Sequence, residues 1–185
     1  QVHRLDKNTS GLMVVARSEK AQKNLVEQLQ THTVSREYSA IVYGHMISGG
    51  SVDEPIGRDS RDRIKQAVTE SGKDALTHYR VIDRFAHHTH VKAILETGRT
   101  HQIRVHLSHI GYPLIGDPMY GGKIRFPKKA HAALKDALKD FKRQALHAKK
   151  LTIVHPISGE AMSWKAPLPD DMVALLAVLS EFDAV

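Results

Sequence analysis

The sequence predicts one α+β domain built on a largely antiparallel sheet, and three observations carry that reading. Alternation of apolar and polar residues at a period of two recurs at Glu37–Gly44, Ala75–Phe85, His90–Glu96, Leu146–Val154 and Ala161–Lys165, the signature of strands. Four other stretches repeat their apolar residues every three or four positions, the spacing of one helix face. No internal repeat and no linker divides the 185 residues, a length that suits a single buried core.

The elements follow in order along the chain. Leu12–Ala16 is a short apolar, β-leaning run. Ser18 can cap a helix that continues to about His32, with Ala21, Leu25 and Leu29 on one face, because its hydroxyl can accept from a free first-turn N–H. In Glu37–Gly44, Tyr38, Ala40 and Val42 oppose Ser39, Ile41 and Tyr43. His45–Val68 is polar, broken by Gly49-Gly50 and Pro55 and dense in charge at "RDSRDRIKQ", and reads as a long connection. Ala75–Phe85 and His90–Glu96 pair as antiparallel strands. Thr97–Thr100 breaks the pattern, and Ile103, Leu107 and Ile110 then mark "HQIRVHLSHIG" as a helix ended by Gly111. "GYPLIGDPMYGG" is a turn-rich loop, and Ala130–Phe141 is an amphipathic helix with Leu134, Ala137, Leu138 and Phe141 inward. Leu146–Val154 and Ala161–Lys165 form a strand pair joined at Pro156–Glu160. A helix opening near Pro169-Asp170 and carrying Leu175, Leu176, Leu179 and Phe182 ends the chain.

Composition narrows the function. A net charge of +7 leans toward a polyanionic partner. The absence of cysteine excludes a disulfide framework, a thiolate metal site and a thiol nucleophile, and it suits a reducing, cytoplasmic compartment. The longest apolar stretches, such as Met172–Leu179, are too short to span a bilayer, so no membrane partner is expected. Neither a Walker loop, nor Gly-x-Gly-x-x-Gly, nor Gly-x-Ser-x-Gly is present, which removes support for nucleotide-dependent and serine-hydrolase chemistry. Among thirteen histidines, His101, His106 and His109 crowd one helix. The five-residue gap turns His101 away from His106 and no acidic ligand lies nearby, so no metal site is predicted. His87, His88 and His90 read as solvated.

What remains is a pattern of arginines and one acid. Asp6 follows Arg4 and precedes a Thr9-Ser10-Gly11 turn, while Arg99 and Arg104 flank the helix entry in "TGRTHQIRVH". An aspartate is a nucleophile only when deprotonated, and burial disfavours that form unless a cation offsets the desolvation. A guanidinium suits the task, being always charged and able to hold a carboxylate through two hydrogen bonds. Spacing alone favours a structural salt bridge, or no contact, over a catalytic pair. Two basic clusters, Arg58-Arg61-Arg63-Lys65 and Lys123-Arg125-Lys128-Lys129, are candidates for tracking phosphates, the first diluted by Asp59 and Asp62.

Several longer motifs add a resemblance. "HRLDKNTSGL", "REYSAIVYG" and "TGRTHQIRVHLSHIGYPLIGDPMYG" resemble, in order, the three motifs of the RluA-type pseudouridine synthases, and "RQALHAKKLTIVHPISGE" with "APLP" is similar to their C-terminal pattern. "GHMISGGSVDEPI" resembles the members that act on large-subunit (23S) ribosomal RNA. The resemblance implies the pseudouridine synthase catalytic fold and a cofactor-independent isomerase that converts uridine in RNA to its C-glycoside. It places Asp6 on the nucleophile that attacks a flipped-out nucleotide, Tyr38 on the tyrosine that packs on the base, and Arg104 on the arginine paired with the aspartate. It places Arg4 near the flipped nucleotide; Arg99 and His101 are candidates to contact the substrate, and Arg58, Arg63, Lys123, Arg125, Lys128 and Lys129 are candidates to bind RNA by their charge. The partner implied is large-subunit rRNA or an assembling ribosomal subunit, with the protein acting as a monomer. Relatives usually carry an N-terminal S4-type RNA-binding domain and early strands ahead of the region that begins at Gln1, so the chain is expected to be the later part of a longer polypeptide. A tRNA-modifying relative and a non-catalytic RNA-binding or ribosome-assembly protein are the alternatives.

Overall fold

The structure, a computed structural model, describes residues 2–185. In chain order its elements are β1 (Ser10–Gly11), α1 (Glu19–Gln30), β2 (Ser35–Tyr43), β3 (Gly50–Asp53), β4 (Ile56–Arg58), β5 (Gln66–Val68), β6 (Leu76–Arg84), β7 (His88–Leu95), α2 (Gln102–His109), α3 (Ala132–Asp140), β8 (Leu146–Val154), β9 (Ala161–Lys165) and α4 (Asp170–Phe182). Strands β1-β8-β2-β7-β6-β3 form one sheet in that spatial order, with β9 also on β8, and β4 and β5 make a separate hairpin. Every pairing is antiparallel except β1 with β8. This is the predicted α+β class.

Alternation along β2 explains the layering. Tyr38, Ala40 and Val42 enter one core with Ile103 and Leu107 of α2. Ile41 and Tyr43 enter the opposite core with Leu134 and Leu138 of α3 and Met172, Leu175 and Leu179 of α4. Both faces of this central strand are therefore buried, which fixes its register, since a one-residue slip would exchange the two sets. Helix α1 covers the far end of β8, where Leu25 meets Leu151 and Ile153. Ser18 caps it as the sequence predicts, accepting from the Ala21 N–H at 3.2 Å.

Three expectations are corrected. The run Leu12–Ala16 is not a strand; pairing stops at Gly11, after which only Leu12 donates to the Ala148 carbonyl. The polar stretch His45–Val68 is not a plain connection but supplies β3, β4 and β5, whose short lengths hide the period of two. His88 and His90 are buried, at 1% and 4% exposure, because β7 lies between β2 and β6. Each has a polar partner there, although Nδ1 of His90 is buried without one among the described residues. His88 Nδ1 lies 2.8 Å from Asp183 Oδ2 beyond the end of α4, and His90 Nε2 lies 2.5 Å from Ser39 Oγ. The exposed His87 shares the same carboxylate.

Burial pushes His3, His88, His90, His101, His106 and His147 below the usual imidazole range. The unfolded chain therefore binds protons at a pH where the fold still holds these rings neutral, so stability is lost as pH falls through the unfolded value of about 6.5. Thermal melts are expected to shift downward steadily between about pH 7.5 and 5.5. A melting temperature that stays flat across that window would contradict the assignment.

Candidate active site

The loop that carries Asp6 is built from its own backbone and clamped from β8. Thr9 N–H donates to the Asp6 carbonyl at 3.0 Å, closing a turn in which Asn8 takes φ of 69°. Gln144, only 1% exposed, donates to the Lys7 carbonyl at 2.7 Å and to Thr9 Oγ1 at 2.9 Å. Arg143 reaches the Asn8 carbonyl at 3.0 Å while Asp171 holds its guanidinium from α4. Gly11 then brings the chain against β8 at φ of 115°, where a Cβ would stand 2.2 Å from the Ala148 carbonyl oxygen. Only glycine fits there.

Arg104 sits on the buried side of α2, and it is the charge that meets Asp6. Its Nε and Nη2 donate to the two carboxylate oxygens of Asp117 at 2.8 and 2.9 Å, and its Nη1 donates to Asp6 Oδ2 at 3.3 Å. Asp117 also accepts from the backbone N–H groups of Met119 and Tyr120. Burial works against both charges, but pairing outweighs it: the Asp117 carboxyl lies below its usual range and the Arg104 guanidinium above. The Tyr120 ring packs under the guanidinium at 5.0 Å, and its hydroxyl accepts from the Gln66 N–H at 2.9 Å.

In front of this pair lies a cleft of about 520 Å³ whose walls include Arg4, Asp6, Tyr38, Arg99 and His101. Five of the sequence-predicted residues thus meet in one cavity, with Arg104 held behind Asp6. Arg4 is exposed at the rim. Tyr38 is 9% exposed and closes the core while facing the cleft, and burial raises its phenol above the usual range. Arg99 is anchored through Nε to the Asp74 carbonyl at 2.8 Å, and its N–H donates to Gln102 Oε1. His101 begins α2 in the left-handed region, with Nδ1 2.6 Å from the Tyr120 hydroxyl, and burial lowers its pKa.

The basic clusters lie elsewhere. Lys123, Arg125, Lys128 and Lys129 are exposed outside the cleft, and Arg125 stacks over Tyr43, on the face of β2 opposite Tyr38. Arg58 and Arg63 are exposed on and beside the β4–β5 hairpin, which is tied to the site by the Gln66–Tyr120 hydrogen bond. Among the described residues no cluster of three or more His, Cys, Asp or Glu is placed to hold a metal ion. His106 is buried between Thr77 Oγ1 and the Glu54 carbonyl, whereas His109 is exposed.

Sequence reasoning missed Arg36, Asp117 and Gln144. Asp117 had a readable signal, since an aspartate ahead of proline in "GDPMY" can accept backbone N–H groups two and three residues on. Gln144 had none, because its role depends on hydrogen bonds to the distant Asp6 loop, and Arg36 had none, because only the folded sheet buries it beside the cleft.

Comparison with known proteins gives the family and the fold. Residues 1–109 match the RNA pseudouridylate synthase family. The chain is 56% identical over 180 residues to ribosomal large subunit pseudouridine synthase D of Pseudomonas aeruginosa, covering 97% of this chain and 56% of that protein. The protein of the same name in Xanthomonas campestris is 54% identical over 183 residues, covering 99% and 55%. The chain thus spans just over half the length of these relatives. Among solved structures, human RNA pseudouridylate synthase domain containing 4 superposes with a TM-score of 0.76 at 29% identity, covering 97% of this chain and 75% of that one. Human RNA pseudouridylate synthase domain containing 1, at 24% identity and a TM-score of 0.72 over 100% of this chain and 81% of that one, shares the fold. By the match over residues 1–109 and the identity to these relatives, the chain belongs to the RNA pseudouridylate synthase family.

Proposed function

We propose that this chain isomerises uridines of large-subunit ribosomal RNA to pseudouridine, with Asp6 as nucleophile. The observation that carries the reading is that Asp6 is the one acid among the residues lining the cleft, and that it stands against an arginine already held by a second carboxylate. A guanidinium saturated by Asp117 is fixed in place and offers its remaining edge to Asp6. That arrangement keeps a carboxylate oriented toward a reacting carbon.

A uridine can enter only after leaving its stack, at a cost of a few kcal/mol that is smallest in an unpaired loop. Tyr38 offers a flat surface for the flipped base, and stacking returns about 1–3 kcal/mol. Asp6 then attacks the ribose, the bond from C1′ to N1 breaks, and the detached uracil turns. C5 then bonds to C1′ as the bond from Asp6 to the ribose breaks and frees the carboxylate, the proton leaves C5, and N1 gains a proton. Atoms balance without a cofactor. Arg4 at the rim is suited to the space that the flipped base vacates, and Arg99 and His101 to the nucleotide's edges. The exposed clusters at Arg58 and Arg63 and at Lys123, Arg125, Lys128 and Lys129 supply charge for the surrounding RNA. A cytoplasmic place of action and an rRNA partner, naked or in an assembling subunit, belong to the same reading, supported by the names of the relatives and by the positive charge.

Large-subunit rRNA labelled with tritium at uridine C5 gives the test. The chain is expected to release tritium, and Asp6→Asn to slow release by about a thousandfold or more while binding RNA and melting as the parent does. Binding by both proteins with release by neither would point to a non-catalytic RNA-binding role, and release from tRNA alone to a tRNA-modifying one. The Tyr38 hydroxyl is suited to take part in removing the C5 proton, so Tyr38→Phe is expected to keep RNA affinity and lose release; unimpaired release would remove the hydroxyl from that step.

A further inference from the structure

A third arginine lines the cleft beside Arg4 and Arg99, and its setting is unusual for a charged group. Arg36 lies on β2 two residues before Tyr38 and is 7% exposed. Its Nε is buried without a hydrogen-bond partner, and among the described residues its guanidinium enters no ion pair. The contrast with Arg104 is direct: that guanidinium, equally buried, holds two carboxylates. Burying an unpaired cation costs several kcal/mol, so such a group is retained where a counter-charge arrives from outside.

The surroundings say what kind of counter-charge fits. Arg4, Arg36 and Arg99 line the cleft against the single acid Asp6. The loop Thr97–Thr100 closes over Arg36 at Gly98, where even a Cβ would stand 2.5 Å from Nη1. Burial lowers the pKa of Arg36, and His3 beside it is lowered by burial and by the Arg36 charge, so this end of the cleft brings no anion of its own. Tyr38 lines the same cleft as Arg36 and Asp6.

We infer that Arg36 is a positioning residue that takes a phosphodiester of the RNA strand beside the uridine on Tyr38, so that the strand is fixed in the cleft where Asp6 acts. A planar guanidinium with free donors matches two phosphate oxygens. A neutral uracil carbonyl would leave the charge uncompensated, which is why the phosphate is assigned. The inference rests on the proposed function for the identity of the strand, not for the presence of an anion site.

A structural arginine and a phosphate-binding one respond in opposite ways to Arg36→Met. Removal of an unpaired buried charge is expected to leave the melting temperature unchanged or higher. Uridine 5′-monophosphate is expected to raise the parent's melting temperature more than uridine does, with that difference absent in Arg36→Met. In the Asp6→Asn background, where no turnover intervenes, Arg36→Met is expected to weaken binding to large-subunit rRNA about ten- to a hundredfold. The slope of log affinity against log salt should become shallower by about 0.7–0.9, one phosphate contact, and Arg36→Lys should recover part of it. An Arg36→Met chain that melts well below the parent, or that keeps the parent's salt slope, makes the guanidinium structural and overturns the assignment. The two readings fail separately. Arg36-dependent RNA binding without tritium release keeps the phosphate site and removes the isomerase, whereas release with an unchanged slope removes only Arg36.

Discussion

The buried pairing of Arg104 with Asp117 is the interaction on which the site depends. A carboxylate that accepts through both oxygens from one edge of a guanidinium, and through Oδ1 from two backbone N–H groups as well, receives four hydrogen bonds. That saturation makes a buried ion pair tolerable, because desolvation is offset only when geometry and hydrogen bonds are complete. Its product is a cation whose one remaining edge is aimed, by covalent geometry, at Asp6. Without Asp117 the guanidinium could turn onto Asp6 with both edges and occupy the oxygens that the chemistry needs. The second carboxylate therefore leaves the first one available.

The fold serves this by bringing three distant segments to one end of the sheet. The Asp6 loop is held by the parallel β1–β8 pair and by Gln144 and Arg143. Tyr38 arrives on β2, a strand buried on both faces and so unable to shift. Arg104 arrives on α2, whose first turn is fastened to β6 by Gln102, which donates to the Leu76 carbonyl and to Thr77 Oγ1. Each group sits on a rigid element, while the cations with freedom to move lie at the rim or outside. Such a division suits the proposed isomerisation, in which Asp6 is held still while a flexible strand enters.

Much of this was legible in the residues. Strands β2, β6, β7, β8 and β9 announced themselves because each is long enough to show its period, and α1 because Ser18 caps it. The β3–β5 region was not, since runs of three or four residues cannot display alternation among charges. His88 and His90 read as solvated because polar residues usually are; only the sheet order reveals that β7 is enclosed. In the site, Asp6, Tyr38 and Arg104 stood out as chemistry placed in motifs. Asp117 was hidden in a turn-rich loop, and Arg36 was hidden by the very lack of a partner that now marks it.

The most direct test of this account is single-turnover tritium release by Asp117→Asn, with rRNA at saturating concentration and below the variant's melting temperature. The amide keeps the shape of Asp117 but gives up its charge and one acceptor, so Arg104 is freed to turn. Turnover is expected to fall about a hundredfold at unchanged RNA affinity, the scale of a reacting group displaced by about an ångström. A folded Asp117→Asn chain that isomerises uridine at the parent's rate would contradict the claim that this pair sets Asp6.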